Sequence, residues 1–111
     1  MIQAWQFRQG EPERESVAAD DIASGRAGPD TLLVIDAMEP TEAELDQIAR
    51  ELPIHPLTLD DLRKANQRTK LVRLGDHFHV AVHAAETHDD HVSVKEVDIV
   101  FGVDWLLIVR Q

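Results

Sequence analysis

Two neighbouring carboxylates, Asp60 and Asp61, and an evenly spaced histidine series, His77, His79 and His83, are the side chains best suited to chemistry in this chain. The carboxylates lie in Ile54-His55-Pro56-Leu57-Thr58-Leu59-Asp60-Asp61-Leu62. A hard divalent cation such as Mg²⁺ prefers carboxylate oxygens and keeps several waters, so one or two acids can bind it without a full protein cage. Successive residues on a helix point about 100° apart. At least one of the two acids must therefore leave the apolar stripe of Leu59 and Leu62, which Leu57 opens, and face water, a partner or a cation. The same pair also suits a helix that merely places acids near its positive end. On a strand, residues two apart share a side, so His77, His79 and His83 line one face with Ala81, opposite Phe78, Val80 and Val82. Imidazole nitrogens suit Zn²⁺ or Ni²⁺, which His77 and His79 can jointly hold, with His88 and His91 close by in the next turn. A polar strand face opposite an apolar one is also what any half-solvated sheet shows. No cysteine, and no acid at a firm ligand spacing, completes a tetrahedral set.

Catalytic patterns are missing. There is no Gly-rich phosphate loop, no H-E-x-x-H and no serine in a nucleophile elbow. Two acids side by side on one helix do not face each other across a cleft, as acid–base hydrolysis requires. Trp5 and Trp105 suit core or interface anchors. The expectation is a protein that is not an enzyme.

The elements that must position these residues follow from periodicity. Residues 2–8 alternate and read as a first strand, with Ile2, Ala4 and either Phe7 or Trp5 inward. Ser16 is placed to cap a short helix over residues 17–23, and residues 25–30 read as a loop. Residues 31–36 are almost continuously apolar, as in a central strand covered on both faces. Thr41-Glu42-Ala43-Glu44 is a capping box, followed by Leu45, Ile48, Ala49 and Leu52 as one buried stripe. Pro53 stops that helix, and Pro56 suits the first position of the next. Beyond Lys70 the period becomes two: residues 71–74 and 77–85 form a hairpin about Gly75-Asp76, and residues 87–90 turn again. Residues 92–101 and 105–110 form a second hairpin about Gly102-Val103-Asp104. The fold class expected is α+β, a mixed, largely antiparallel sheet with short helices packed on part of it.

At 111 residues, of which 43% are hydrophobic, the chain reads as one domain, residues 1–111, with a modest core. Twenty-one acids against 11 Lys and Arg leave a formal charge of −10. Such a field repels phosphate backbones and anionic headgroups, which argues against nucleic acid and direct membrane adhesion and favours divalent cations or basic surfaces. The absence of cysteine removes disulfides and thiolate chemistry. The amino terminus lacks the basic-then-apolar pattern of a signal peptide, and no apolar run approaches the roughly 20 residues of a membrane span. The chain as given is expected to be soluble.

Taken in order, Leu33-Val34-Ile35-Asp36, Glu39-Pro40-Thr41-Glu42-Ala43-Glu44-Leu45, His55-Pro56-Leu57-Thr58-Leu59-Asp60-Asp61-Leu62, Gln67-Arg68-Thr69-Lys70 and Trp105-Leu106-Leu107-Ile108-Val109 resemble the amino-terminal cytoplasmic domain of CorA-type magnesium transporters. The resemblance covers residues 31–111 and, more weakly, the first strand. It implies a homopentamer at the cytoplasmic face of the inner membrane, whose soluble domains bind Mg²⁺ between neighbours and hold the channel closed. Carried over by position, the family's acidic pair is Asp60 and Asp61, with Asp61 the stronger ligand. The family's stalk helix, membrane helices and Gly-Met-Asn pore motif have no counterpart in this sequence. Thr69 replaces the usual proline, and the histidine strand is more polar than is usual. The latter suits Zn²⁺, Co²⁺ or Ni²⁺ in place of Mg²⁺, or a face less well covered without the missing helices. The rival expectation is a stand-alone soluble metal-binding or oligomerisation module without transport.

Overall fold

The computed structural model describes residues 1–26 and 28–111; Ala27, inside the expected loop, lies outside the described residues. Among the described residues, seven strands and two α-helices follow in order: β1 (Ile2–Arg8), β2 (Glu15–Val17), β3 (Thr31–Met38), α1 (Glu42–Glu51), α2 (Pro56–Lys64), β4 (Lys70–Leu74), β5 (His77–His88), β6 (His91–Phe101) and β7 (Trp105–Arg110). They form one sheet in the order β2-β1-β3-β7-β6-β5-β4. Only β3 and β7 run parallel; every other neighbour is antiparallel. The two helices lie in the crossover between β3 and β7, where a parallel pair requires a long connection.

Strand period two decides which residues meet the helices. Ala4, Ile35, Leu107, Val100 and His79 make one row across five strands. Ala37, Val109, Asp98, Ala81 and Lys70 make the row beside it. Both rows face α1 and α2, whose Leu45, Ile48, Leu52 and Leu62 close the core with Ile22. The Thr41 capping box forms as expected: its hydroxyl accepts from the Glu44 N–H at 3.1 Å, and Glu44 accepts from the Thr41 N–H at 3.0 Å. Pro56 opens α2, and Ala65 ends it in the left-handed region at φ 48°.

Three expectations are corrected. Residues 17–23 are not an α-helix: β2 pairs with the edge of β1, and two single 3₁₀ turns, Ala19–Asp21 and Ala23–Gly25, bury Ile22. A three-residue strand has no periodicity to announce it, yet it satisfies open backbone groups of β1. On β1 the inward residues are Ala4 and Gln6, while Phe7 is exposed; Gln6 is tolerated there because its Nε2 donates to the Gly25 carbonyl at 2.9 Å. The central strand β3 is covered on one face only. Its other face, with Leu32 and Val34, continues through Leu106, Ile108, Ile99, Val80 and the stacked pair Phe78–Phe101, and carries neither helix.

On α2, Leu57 is 60% exposed and Thr58 takes the inward place, with its Oγ1 buried and without a hydrogen-bond partner among the described residues. An unsatisfied hydroxyl costs its desolvation with no bond in return. Thr58→Val, which keeps the branched shape, is expected to stabilise the fold by about 1 kcal/mol. Urea denaturation checks this, and a lower midpoint would show that the hydroxyl is engaged.

Candidate functional site

Asp60 and Asp61 occupy the second turn of α2, and the helix turns them apart. Asp60 points to solvent and pairs with Lys64 one turn on, at 2.8 Å. With both side chains more than half exposed, that pair is a weak surface contact. Asp61 points toward the start of β4, where the Lys70 ammonium lies 2.7 Å from its Oδ2. This second pair is more sheltered, at 28% and 20% side-chain exposure for Asp61 and Lys70. The ammonium also donates to Gln67 Oε1 at 2.9 Å. Arg63, between the two acids and Lys64, clamps α2 to α1 through Asp46 and, at 3.1 Å, Glu42.

The histidine series lies on one face of β5, and that face is the one the helices cover. A half-solvated polar face is therefore not what the strand presents at His77 and His79, both buried. Each ring has its own protein partner. His77 Nε2 accepts the His55 backbone N–H at 2.9 Å, latching the α1–α2 turn to the sheet. Burial, with the nearby His55 and His79 rings adding to it, pushes the His77 pKa down and keeps the imidazole in the neutral form that can accept. His79 Nε2 lies 2.6 Å from Asp98 Oδ1, both almost fully buried. His83 is exposed and its Nδ1 meets Thr69 Oγ1 at 3.0 Å. The structure thus places His77, His79 and His83 on one face without aiming them at a common point. Among the described residues no group of three or more His, Cys, Asp or Glu side chains converges as a metal cluster. His88 and His91 do come together, stacked across the β5–β6 turn with ring centres 5.3 Å apart, far along the hairpin from His77.

Sequence reasoning missed Glu96, Asp98 and Lys70, which tie these parts into one network. Glu96 Oε1 accepts the Gln67 backbone N–H at 2.6 Å. Burial, then the neighbouring Asp98 carboxyl, push the Glu96 carboxyl up to about 7, against the opposing pull of Gln67 and Lys70. Two acids close together in a desolvated place cannot both ionise cheaply, so one retains a proton. A signal was present in Glu96-Val97-Asp98-Ile99-Val100: the period of two puts both acids on the side of Val100, which belongs to the core.

The architecture is that of known cation-transporter soluble domains. Among 29 matching solved chains, the CorA magnesium transporter of Methanocaldococcus jannaschii aligns with a TM-score of 0.68 at 18% identity, over 98% of this chain and 32% of that one. Full-length CmaX aligns at 0.79 and 13% identity, over 97% of this chain and 34% of its own. The ZntB cytoplasmic domain of Vibrio parahaemolyticus aligns at 0.67 and 13% identity, over 97% and 42%. The chain therefore spans between about a third and two fifths of these proteins. Among curated proteins no significant match exists. The family model for CorA-like Mg²⁺ transporter proteins matches residues 30–111, which includes the whole of the 31–111 stretch that carries the sequence resemblance. The chain belongs to that family, and it carries the fold of the family's soluble domain.

Proposed function

We propose that this chain is the regulatory, cation-sensing domain of a CorA-like divalent metal transporter and works at the cytoplasmic face of the membrane. The cargo is Mg²⁺ or a related ion, Co²⁺, Ni²⁺ or Zn²⁺, and the working assembly is a homopentamer. On this reading the domain acts on a pore formed by other segments; among the described residues no helix is long and apolar enough to cross a membrane. The observation that carries the reading is Asp61: a part-exposed carboxylate, fixed on a capped helix, already holding a cationic group at 2.7 Å. In an assembly of acidic copies, carboxylates facing each other across a subunit boundary repel until a divalent ion bridges them. Occupancy then biases the assembly between two arrangements. Asp60, with Lys64 as its neighbour, adds field without fixing the ion. The histidine reading has less support, because His77 and His79 are already engaged inside the protein.

Asp61→Asn in the transporter that carries this domain, reconstituted in liposomes, is expected to raise several-fold the Mg²⁺ concentration that inhibits flux. Loss of one charge-assisted contact per site sets that scale, about 1 kcal/mol or somewhat more. An unchanged Mg²⁺ dependence of both flux and protease protection would overturn the reading.

A further inference from the structure

We propose that Lys70 is a tethered cation seated where a divalent ion binds Asp61, so that ammonium and metal compete for one carboxylate. Lys70 then sets the concentration at which the domain responds. The inference rests on the reading of Asp61 as a cation ligand.

The seat is built from oxygen donors of the kind a hard cation takes, a carboxylate and an amide carbonyl. Asp61 Oδ2 and Gln67 Oε1 lie 2.7 and 2.9 Å from the Lys70 Nζ. The Gln67 backbone is held by its N–H donating to Glu96 at 2.6 Å, and its Nε2 donates to the exposed Asn66 Oδ1 at 3.2 Å, which turns Oε1 toward the ammonium. Its Oε1 is thus the second oxygen donor beside Asp61 Oδ2. Lys70 opens β4 in register with Ala81, in the row that contains Asp98, so its backbone is fixed and the tether is short. A short tether on a rigid strand keeps the ammonium at high effective concentration, and an ion from solution must displace it.

Asp60 shows the contrast. Lys64 also neutralises it, but on an exposed helix face where water and salt screen the pair.

The test uses Mn²⁺ as probe and paramagnetic broadening of the amide spectrum of the 111-residue chain. Lys70→Met is expected to lower the Mn²⁺ concentration that broadens Asp61 and its neighbours by about five- to tenfold, the scale of losing one sheltered ion pair. Lys70→Arg keeps the charge and is expected to titrate like the wild type. Adding Asp61→Asn to Lys70→Met is expected to abolish the gain. A dispersed, wild-type-like spectrum shows that the variant is folded, and Lys70→Gln serves in its place if Met at this position disturbs the fold. Broadening at Asp61 with equal midpoints in wild type and both neutral variants overturns the competition while leaving Asp61 as a ligand. No broadening at Asp61 in any protein, with the seat emptied, overturns both.

Discussion

Glu96→Gln is expected to raise the stability of the domain at pH 8 by about 3 kcal/mol and to leave it almost unchanged at pH 4.5. In the folded protein the Glu96 carboxyl keeps its proton until about pH 7, whereas in the unfolded chain it ionises near its ordinary 4.5. Between those values the folded state binds more protons than the unfolded state, so stability falls as pH rises. The fall begins near pH 4.5 and levels off above about 7. Glutamine keeps the carbonyl that accepts the Gln67 N–H and has no charge to bury. His77 works in the opposite sense. Its folded pKa lies below the ordinary value, so the unfolded state binds the extra proton and stability drops as pH falls below about 6.5. Both proteins share that contribution, and subtracting their urea stabilities at each pH isolates Glu96. A difference independent of pH would show that Glu96 ionises in the fold at its ordinary value, as it does in the unfolded chain.

His79→Ala should have the largest destabilising effect, about 3–5 kcal/mol. The ring fills a fully buried place in the row with Val100 and Leu107, and its Nε2 is the close partner of Asp98. Truncation leaves a cavity and a buried acid beside a second acid, Glu96. Urea midpoints at pH 7 measure the loss, and a cost below about 1 kcal/mol would mean that water replaces the ring without penalty. Calorimetry with Zn²⁺ on the same two proteins separates this structural role from metal binding. Identical isotherms are expected, since the ring already has a partner.

Local rules were enough for much of the fold. The Thr41 box, Pro53 and Pro56 fixed both helices because caps and prolines act within one or two turns. Gly75-Asp76 and the alternation beyond Lys70 marked the β4–β5 hairpin in the same way. The expected turn at residues 87–90 shrank to Asp89 and Asp90, because Thr87 and His88 continue the β5 ladder against Val92 and His91. What local pattern could not supply was pairing partners. Nothing in residues 15–17 says strand until the edge of β1 is beside them. The alternation of β5 likewise separates two faces without saying which one the helices cover.

The site divides along the same line. The family, the helix that carries Asp60 and Asp61, and the divergence of the two acids were all legible in the residues, because helical geometry allows adjacent side chains no other arrangement. It took the packed fold to show that Lys64 and Lys70 neutralise the two acids differently and that His77 and His79 face inward. The packing also decided that Glu96 and Asp98 share a buried place with His79. The Asp61–Lys70 and His79–Asp98 contacts join separate elements, and their strength depends on desolvation, which is a property of the packed sheet and helices and of no single segment.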